Sequence, residues 1–104
     1  MTIQLNTDKN ISGNERLEKY LDTKIKENLS RFTDTITRIE MHLSDENGSK
    51  DGLKDKRCLL EARMEGEQPI AVTSYSNTVE NSMNEAIDKL KIILETKTGK
   101  LRNY

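Results

Sequence analysis

Three groups of residues in this 104-residue chain could do chemistry. The first is a single histidine, His42, and a single cysteine, Cys58, which would make a base and a nucleophile if they shared a surface. Both lie in runs of alternating polar and apolar residues, where side chains two apart share a face. His42 alternates with Arg38 and Glu40 on a polar side, whereas Cys58 alternates with Leu60, Ala62 and Met64 on an apolar one. The pair is therefore expected on opposite faces, with the thiol inward as a small apolar group. The second group is the acidic run Asp45-Glu46-Asn47-Gly48-Ser49-Lys50-Asp51, with oxygen ligands at every second position. It fails as a calcium loop, because Lys50 and Lys56 stand where such a loop needs a glycine and a bidentate glutamate. One histidine gives no multi-histidine metal site, and neither a phosphate-cradling glycine loop nor a Gly-x-Ser-x-Gly elbow occurs. No catalytic residue, metal or cofactor is expected, and no small-molecule substrate.

The third group is the lysines and arginines. Net charge is −1, but its distribution is uneven: residues 1–40 carry seven basic and seven acidic side chains, and residues 41–85 carry five and nine. Residues 86–104 then carry Lys89, Lys91, Lys97, Lys100 and Arg102 against Asp88 and Glu95. A basic segment of this kind can touch phosphate, although it is no polybasic arm. Aromatic residues are scarce, with three Tyr, one Phe and no Trp, so bases have little to stack on. Tyr75 is the one plausible platform, and any RNA contact would run through phosphates and shape.

Positioning these groups falls to six elements. Ile3 and Leu5 alternate with polar neighbours as a short strand. Ser12-Gly13-Asn14-Glu15 matches a capping box, and Leu17, Tyr20, Leu21, Ile25, Leu29 and Phe32 follow as one stripe, predicting a helix over 13–31. Ile39, Met41 and Leu43 oppose Arg38, Glu40 and His42 in a second strand. A polar loop from Ser44 to Lys54 follows, turning at Gly48 and Gly52. The third strand sends Cys58, Leu60, Ala62 and Met64 inward, and Arg57, Leu59, Glu61 and Arg63 outward. After the turn Glu65–Pro69, a fourth opposes Ile70, Val72 and Ser74 to Ala71, Thr73 and Tyr75. Asn77-Thr78-Val79-Glu80 caps the last helix, whose stripe is Val79, Met83, Ala86, Ile87, Leu90, Ile93 and Leu94; Gly99 is expected to end it near Thr96 to Thr98. The fold class is therefore α+β, in the order β-α-β-β-β-α, with two helices packed on one face of a four-stranded sheet.

Length, 33% apolar and 34% charged residues fit one domain over 1–104, with 98–104 as a flexible tail. The N-terminus lacks a basic head and apolar stretch, no window is apolar enough to span a bilayer, and one cysteine forms no internal disulfide. A cytoplasmic protein without membrane contact is expected, monomeric when free.

The run Ile36-Thr37-Arg38-Ile39-Glu40-Met41-His42-Leu43-Ser44-Asp45-Glu46-Asn47, answered by Asp55-Lys56-Arg57-Cys58, resembles the central hairpin of the short ribosome hibernation-promoting, or ribosome-associated inhibitor, family, also called the sigma-factor modulation family. Ala86-Ile87-Asp88-Lys89-Leu90 is similar to the family's Asp-Lys-Leu segment, and the likeness extends over nearly the whole chain. The resemblance implies a fold like a double-stranded-RNA-binding domain. It also implies a non-enzymatic factor, lodged in the mRNA and tRNA channel of the small ribosomal subunit, that inhibits translation in stress or stationary phase. In the family, basic side chains of the two helices meet 16S rRNA phosphates. Lys24 and Lys89 match family basic positions, and Arg31 before Phe32 corresponds to a basic residue before an aromatic one. Lys91, Lys97, Lys100 and Arg102 extend the same edge by proximity; Lys91-Ile92 departs from the family's acidic-then-basic pair, Lys91 partly replacing the cation missing at Ile92. These cations are expected to gather into one ridge. Because the chain stops soon after the last helix, the resemblance implies no C-terminal domain of the kind with which longer members pair ribosomes.

A competing expectation keeps the fold without the ribosome: a protein-interaction or self-associating stress module, using Leu59, Ala71 and Tyr75 on the open sheet face.

Overall fold

Alternation of apolar and polar side chains sets the sheet. The computed structural model describes residues 1–46 and 55–102, the last five of these by their backbone alone. The strands are β1 (Thr2–Thr7), β2 (Ile36–Asp45), β3 (Lys56–Met64) and β4 (Ile70–Ser76), in spatial order β1-β2-β3-β4. β1 runs parallel to β2, while β2, β3 and β4 form an antiparallel meander. Ile39, Met41, Leu43, Cys58, Leu60 and Ala62 are buried on one face, as their period of two demands. Arg38, Glu40, His42, Arg57, Leu59 and Glu61 are half-exposed on the other. β2 begins earlier than its alternation suggested. A register shift between Ile36 and Arg38 inserts one residue, so that Ile36 and Ile39, three apart, both face the core.

Two helices cover the apolar face. α1 (Asn14–Leu29) buries Leu17, Leu21, Ile25 and Leu29, and a 3-10 turn (Ser30–Phe32) adds Phe32. α2 (Val79–Arg102) buries Met83, Ala86, Ile87, Leu90 and Leu94. These stripes and the inward strand residues form one core, in which a Leu or Ile truncated to Ala would cost about 2–5 kcal/mol. The architecture is the α+β order expected from sequence.

Two helix ends differ from expectation. The capping box at Ser12 does not form. Gly13 is the cap, in the left-handed conformation (φ 78°), and makes no side-chain cap bond. The chain must swing from buried Ile11 into the helix within two residues, and a glycine makes that turn without the Cβ clash that opposes it elsewhere. At the other end α2 passes through Gly99 to Arg102, so the part of the expected tail from 98 to 102 is helical. Glycine inside a helix costs only about 1 kcal/mol, and Lys97, Lys100, Leu101 and Arg102 around it are good helix formers. The start of α2 is as read, with Thr78 Oγ1 accepting the Asn81 N–H at 3.1 Å. The turns expected at Gly48 and Gly52, and most of the acidic loop, lie outside the described residues.

Candidate nucleic-acid interface

The helices carry most of the expected RNA-binding cations, and their packing decides how these cations are arranged. Three cross-helix contacts fix it. Arg16 meets Glu80 at 2.9 Å, the Tyr20 hydroxyl donates to Asn84 Oδ1 at 3.1 Å, and Arg31 meets Glu95 at 3.4 Å. Each joins residues 64 apart in sequence, so α1 and α2 run parallel and side by side. The same offset puts Lys24 level with Asp88, and Lys91 level with Glu27, along one seam.

That seam corrects the expected cationic ridge. Lys24 Nζ sits 3.7 Å from Glu27 and 5.5 Å over the Tyr20 ring, and Arg31 is shared between Glu95 and the face of Phe32, 5.1 Å away. Cations and carboxylates alternate along it because the helical period that places one lysine per turn also places a glutamate beside it. Arg16 holds the Glu80 carboxyl below the usual glutamate range, through its hydrogen bond and then through a backbone bond at the helix start. Lys91 is half-buried on the seam and, among the described residues, has no ion-pair partner.

The remaining cations lie elsewhere. Lys89 points away from the seam toward the sheet, its Nζ donating to the Thr73 carbonyl at 2.6 Å. Lys97 reaches Glu67 in the β3–β4 turn at 3.3 Å. Lys100 and Arg102 sit in the last turns of α2, and their side chains lie outside the described residues. The structure thus brings Lys24, Arg31 and Lys91 together and sets Lys89 and Lys97 apart. Sequence reading missed Arg16 as the clamp at the start of the seam. No single-helix pattern reveals it, since its partner is 64 residues away. Arg57 and Arg63, read as outward, are two further arginines without an ion pair among the described residues.

The nucleophile–base pair is separated as alternation required. Cys58 is fully buried, and burial pushes its thiol up to about 12. His42 lies on the outer face, 3.5 Å from Glu40 and 4.0 Å from Glu61.

Residues 6–102 match the family described as sigma 54 modulation protein / S30EA ribosomal protein. The chain belongs to this family. Its S30EA-type fold is shared with solved structures. The N-terminal domain of protein Y from Thermus thermophilus aligns with a TM-score of 0.73 and 18% identity, over 92% of this chain and 98% of that one. A ribosomal subunit interface protein from Coxiella burnetii aligns with a TM-score of 0.74 and 19% identity, over 95% and 99%. At these identities the likeness shows the fold. A comparison with curated proteins returns no match. No helix among the described residues is long and apolar enough to cross a membrane.

Proposed function

We propose that this S30EA-family protein is a non-enzymatic ribosome-binding factor that inhibits translation by occupying the mRNA and tRNA channel of the small subunit. The family match over residues 6–102 carries the reading. The names of the structural neighbours, a ribosomal subunit interface protein among them, support it. The seam between α1 and α2 is the surface we assign to 16S rRNA, with Lys24, Arg31 and Lys91 meeting phosphates. Lys89 and Lys97, held on the sheet side by the Thr73 carbonyl and Glu67, lie off this seam, and Lys100 and Arg102 are assigned to extend the contact at the end of α2. Because Lys24 and Arg31 are matched by carboxylates, docking at these two is an exchange in which phosphate oxygens replace Glu27 and Glu95. Mechanical occlusion then needs no chemistry from His42 or Cys58.

Sedimentation of lysate from starved cells through a sucrose gradient tests this. The protein should travel with 30S and 70S particles at low salt. With about five phosphates neutralised, affinity should fall roughly as the fourth to fifth power of salt concentration. A protein that stays at the top of the gradient at low salt, or whose binding ignores Arg31→Glu with Lys91→Glu, removes the assignment. The outward patch of Leu59, Ala71 and Tyr75, with Tyr75 49% exposed, favours self-association as the second reading. A concentration-dependent dimer by light scattering that Tyr75→Glu abolishes would support it.

A further inference from the structure

β1 is an edge strand, and it is built unlike the rest of the chain. One residue in three is charged overall, yet residues 1–7, Met-Thr-Ile-Gln-Leu-Asn-Thr, carry no charged side chain. Nor do they contain the proline, lysine or glycine with which exposed edges are blunted. The opposite edge is protected: Lys89 lies against the Thr73 carbonyl of β4, and α2 packs over that strand. Beside β1 the cover is incomplete. A groove of about 340 Å³ runs between β1 and α1, lined by Ile3, Gln4, Leu5, Glu18, Leu21 and Asp22. Its exposed lining is mostly polar, with Ile3 and Leu5 half-buried in it, and its charged members, Glu18 and Asp22, are both acidic.

We infer that the β1 edge and this groove bind an extended basic peptide segment, added to the sheet as a fifth strand with lysine or arginine at alternate positions. Main-chain pairing along an open edge supplies affinity, and every second side chain of the added strand points to the helix side. There an arginine or lysine stem lies along the half-buried Ile3 and Leu5 while its head reaches the acidic rim. The spacing agrees. Glu18 and Asp22 are one helical turn apart, about 6 Å, and side chains two apart on a strand are separated by about 6.8 Å. Two successive basic residues of the peptide therefore fall opposite two carboxylates. Lys26 holds one Asp22 oxygen at 2.8 Å, but such an exposed pair within one helix is weak and leaves the other oxygen free for the peptide. The acidic rim disfavours RNA phosphates here. It also disfavours a second copy of the chain, whose own Glu18 and Asp22 would be brought alongside. The site is distinct from the α1–α2 seam, so it stands or falls apart from the ribosome reading.

The probe is a capped seven-residue peptide alternating arginine and threonine, titrated into the isotope-labelled full chain by NMR. Amide shifts should move at residues 3–6 and 18–22. Glu18→Lys with Asp22→Lys, both on the solvent side of α1, should weaken binding about five- to tenfold. Methylating alternate peptide nitrogens of the probe should abolish it without touching the protein, which keeps the test valid if the double variant folds poorly. The inference is overturned if no amide moves at millimolar peptide. Shifts that map to the sheet face or the seam overturn it too. So does equal binding by a glutamate–threonine peptide or a uridine oligonucleotide, or a chain that already dimerises through β1.

Discussion

Cys58 and His42 show how much a residue's chemistry depends on its place in the pleat. Cys58 pairs across β2–β3 with Leu43, and His42 with Leu59, one register step away, so the two side chains leave the sheet in opposite directions. Burial raises the Cys58 thiol to about 12 by penalising the charged form, which leaves almost no thiolate at neutral pH. Alkylation by iodoacetamide at pH 8 should therefore be blocked in the folded protein and proceed only through unfolding. Its rate should rise with urea along the unfolding transition seen by circular dichroism. Labelling at the rate of a free thiol in native buffer would mean that the side chain is exposed. The same logic made the inward or outward sense of most strand residues readable, since alternation is a local property. The partners of the surface cations were not readable: Arg31 near Phe32 could be named, but Glu95 beside it could not.

At the scale of elements, the parallel seating of α1 and α2 comes from their stripes. Leu17, Leu21, Ile25 and Leu29 on one helix and Met83, Ile87, Leu90 and Leu94 on the other pack on the same face of the sheet. The Arg16–Glu80 clamp then closes the N-terminal end of the seam. Its pH dependence has a definite sign. Pairing holds the Glu80 carboxyl below its ordinary range, so the stabilisation is present above that range and lost as acid protonates the group. Both partners are substantially exposed, which keeps the contribution small. Arg16→Ala should lower unfolding stability by about 0.5 kcal/mol at neutral pH, and the penalty should shrink steadily as acid protonates Glu80, as read from urea midpoints. A penalty that persists undiminished in acid would mean that Arg16 acts through packing of its stem.

For the whole molecule, near-neutral charge is organised as pairing, and this has a consequence for ribosome binding. Lys24 and Arg31 must each part from a carboxylate before meeting phosphate, whereas Lys91 has no ion-pair partner among the described residues. Glu95→Gln leaves Arg31 unpaired, so ribosome affinity should rise by about two- to fivefold, and the salt dependence should steepen by about one power. Folding stability should change little, because the pair is on the surface. Co-sedimentation with 30S subunits across a salt series measures both; an unchanged affinity would show that Arg31 does not reach RNA.

Periodicity alone determined the six elements, their inward faces and the β-α-β-β-β-α order, because burying an apolar stripe leaves an amphipathic segment few choices. The hairpin and Asp-Lys-Leu runs likewise pointed to the family that the match over residues 6–102 shows. Two helix ends escaped that reading. The choice of Gly13 over Ser12 as cap answered to the direction in which the chain enters α1, and the passage through Gly99 to the helix-forming residues beyond it. The charge character of the seam and the open edge of β1 were decided only by tertiary structure. Both depend on which residues distant in sequence are brought side by side, and neither a period nor a composition records that.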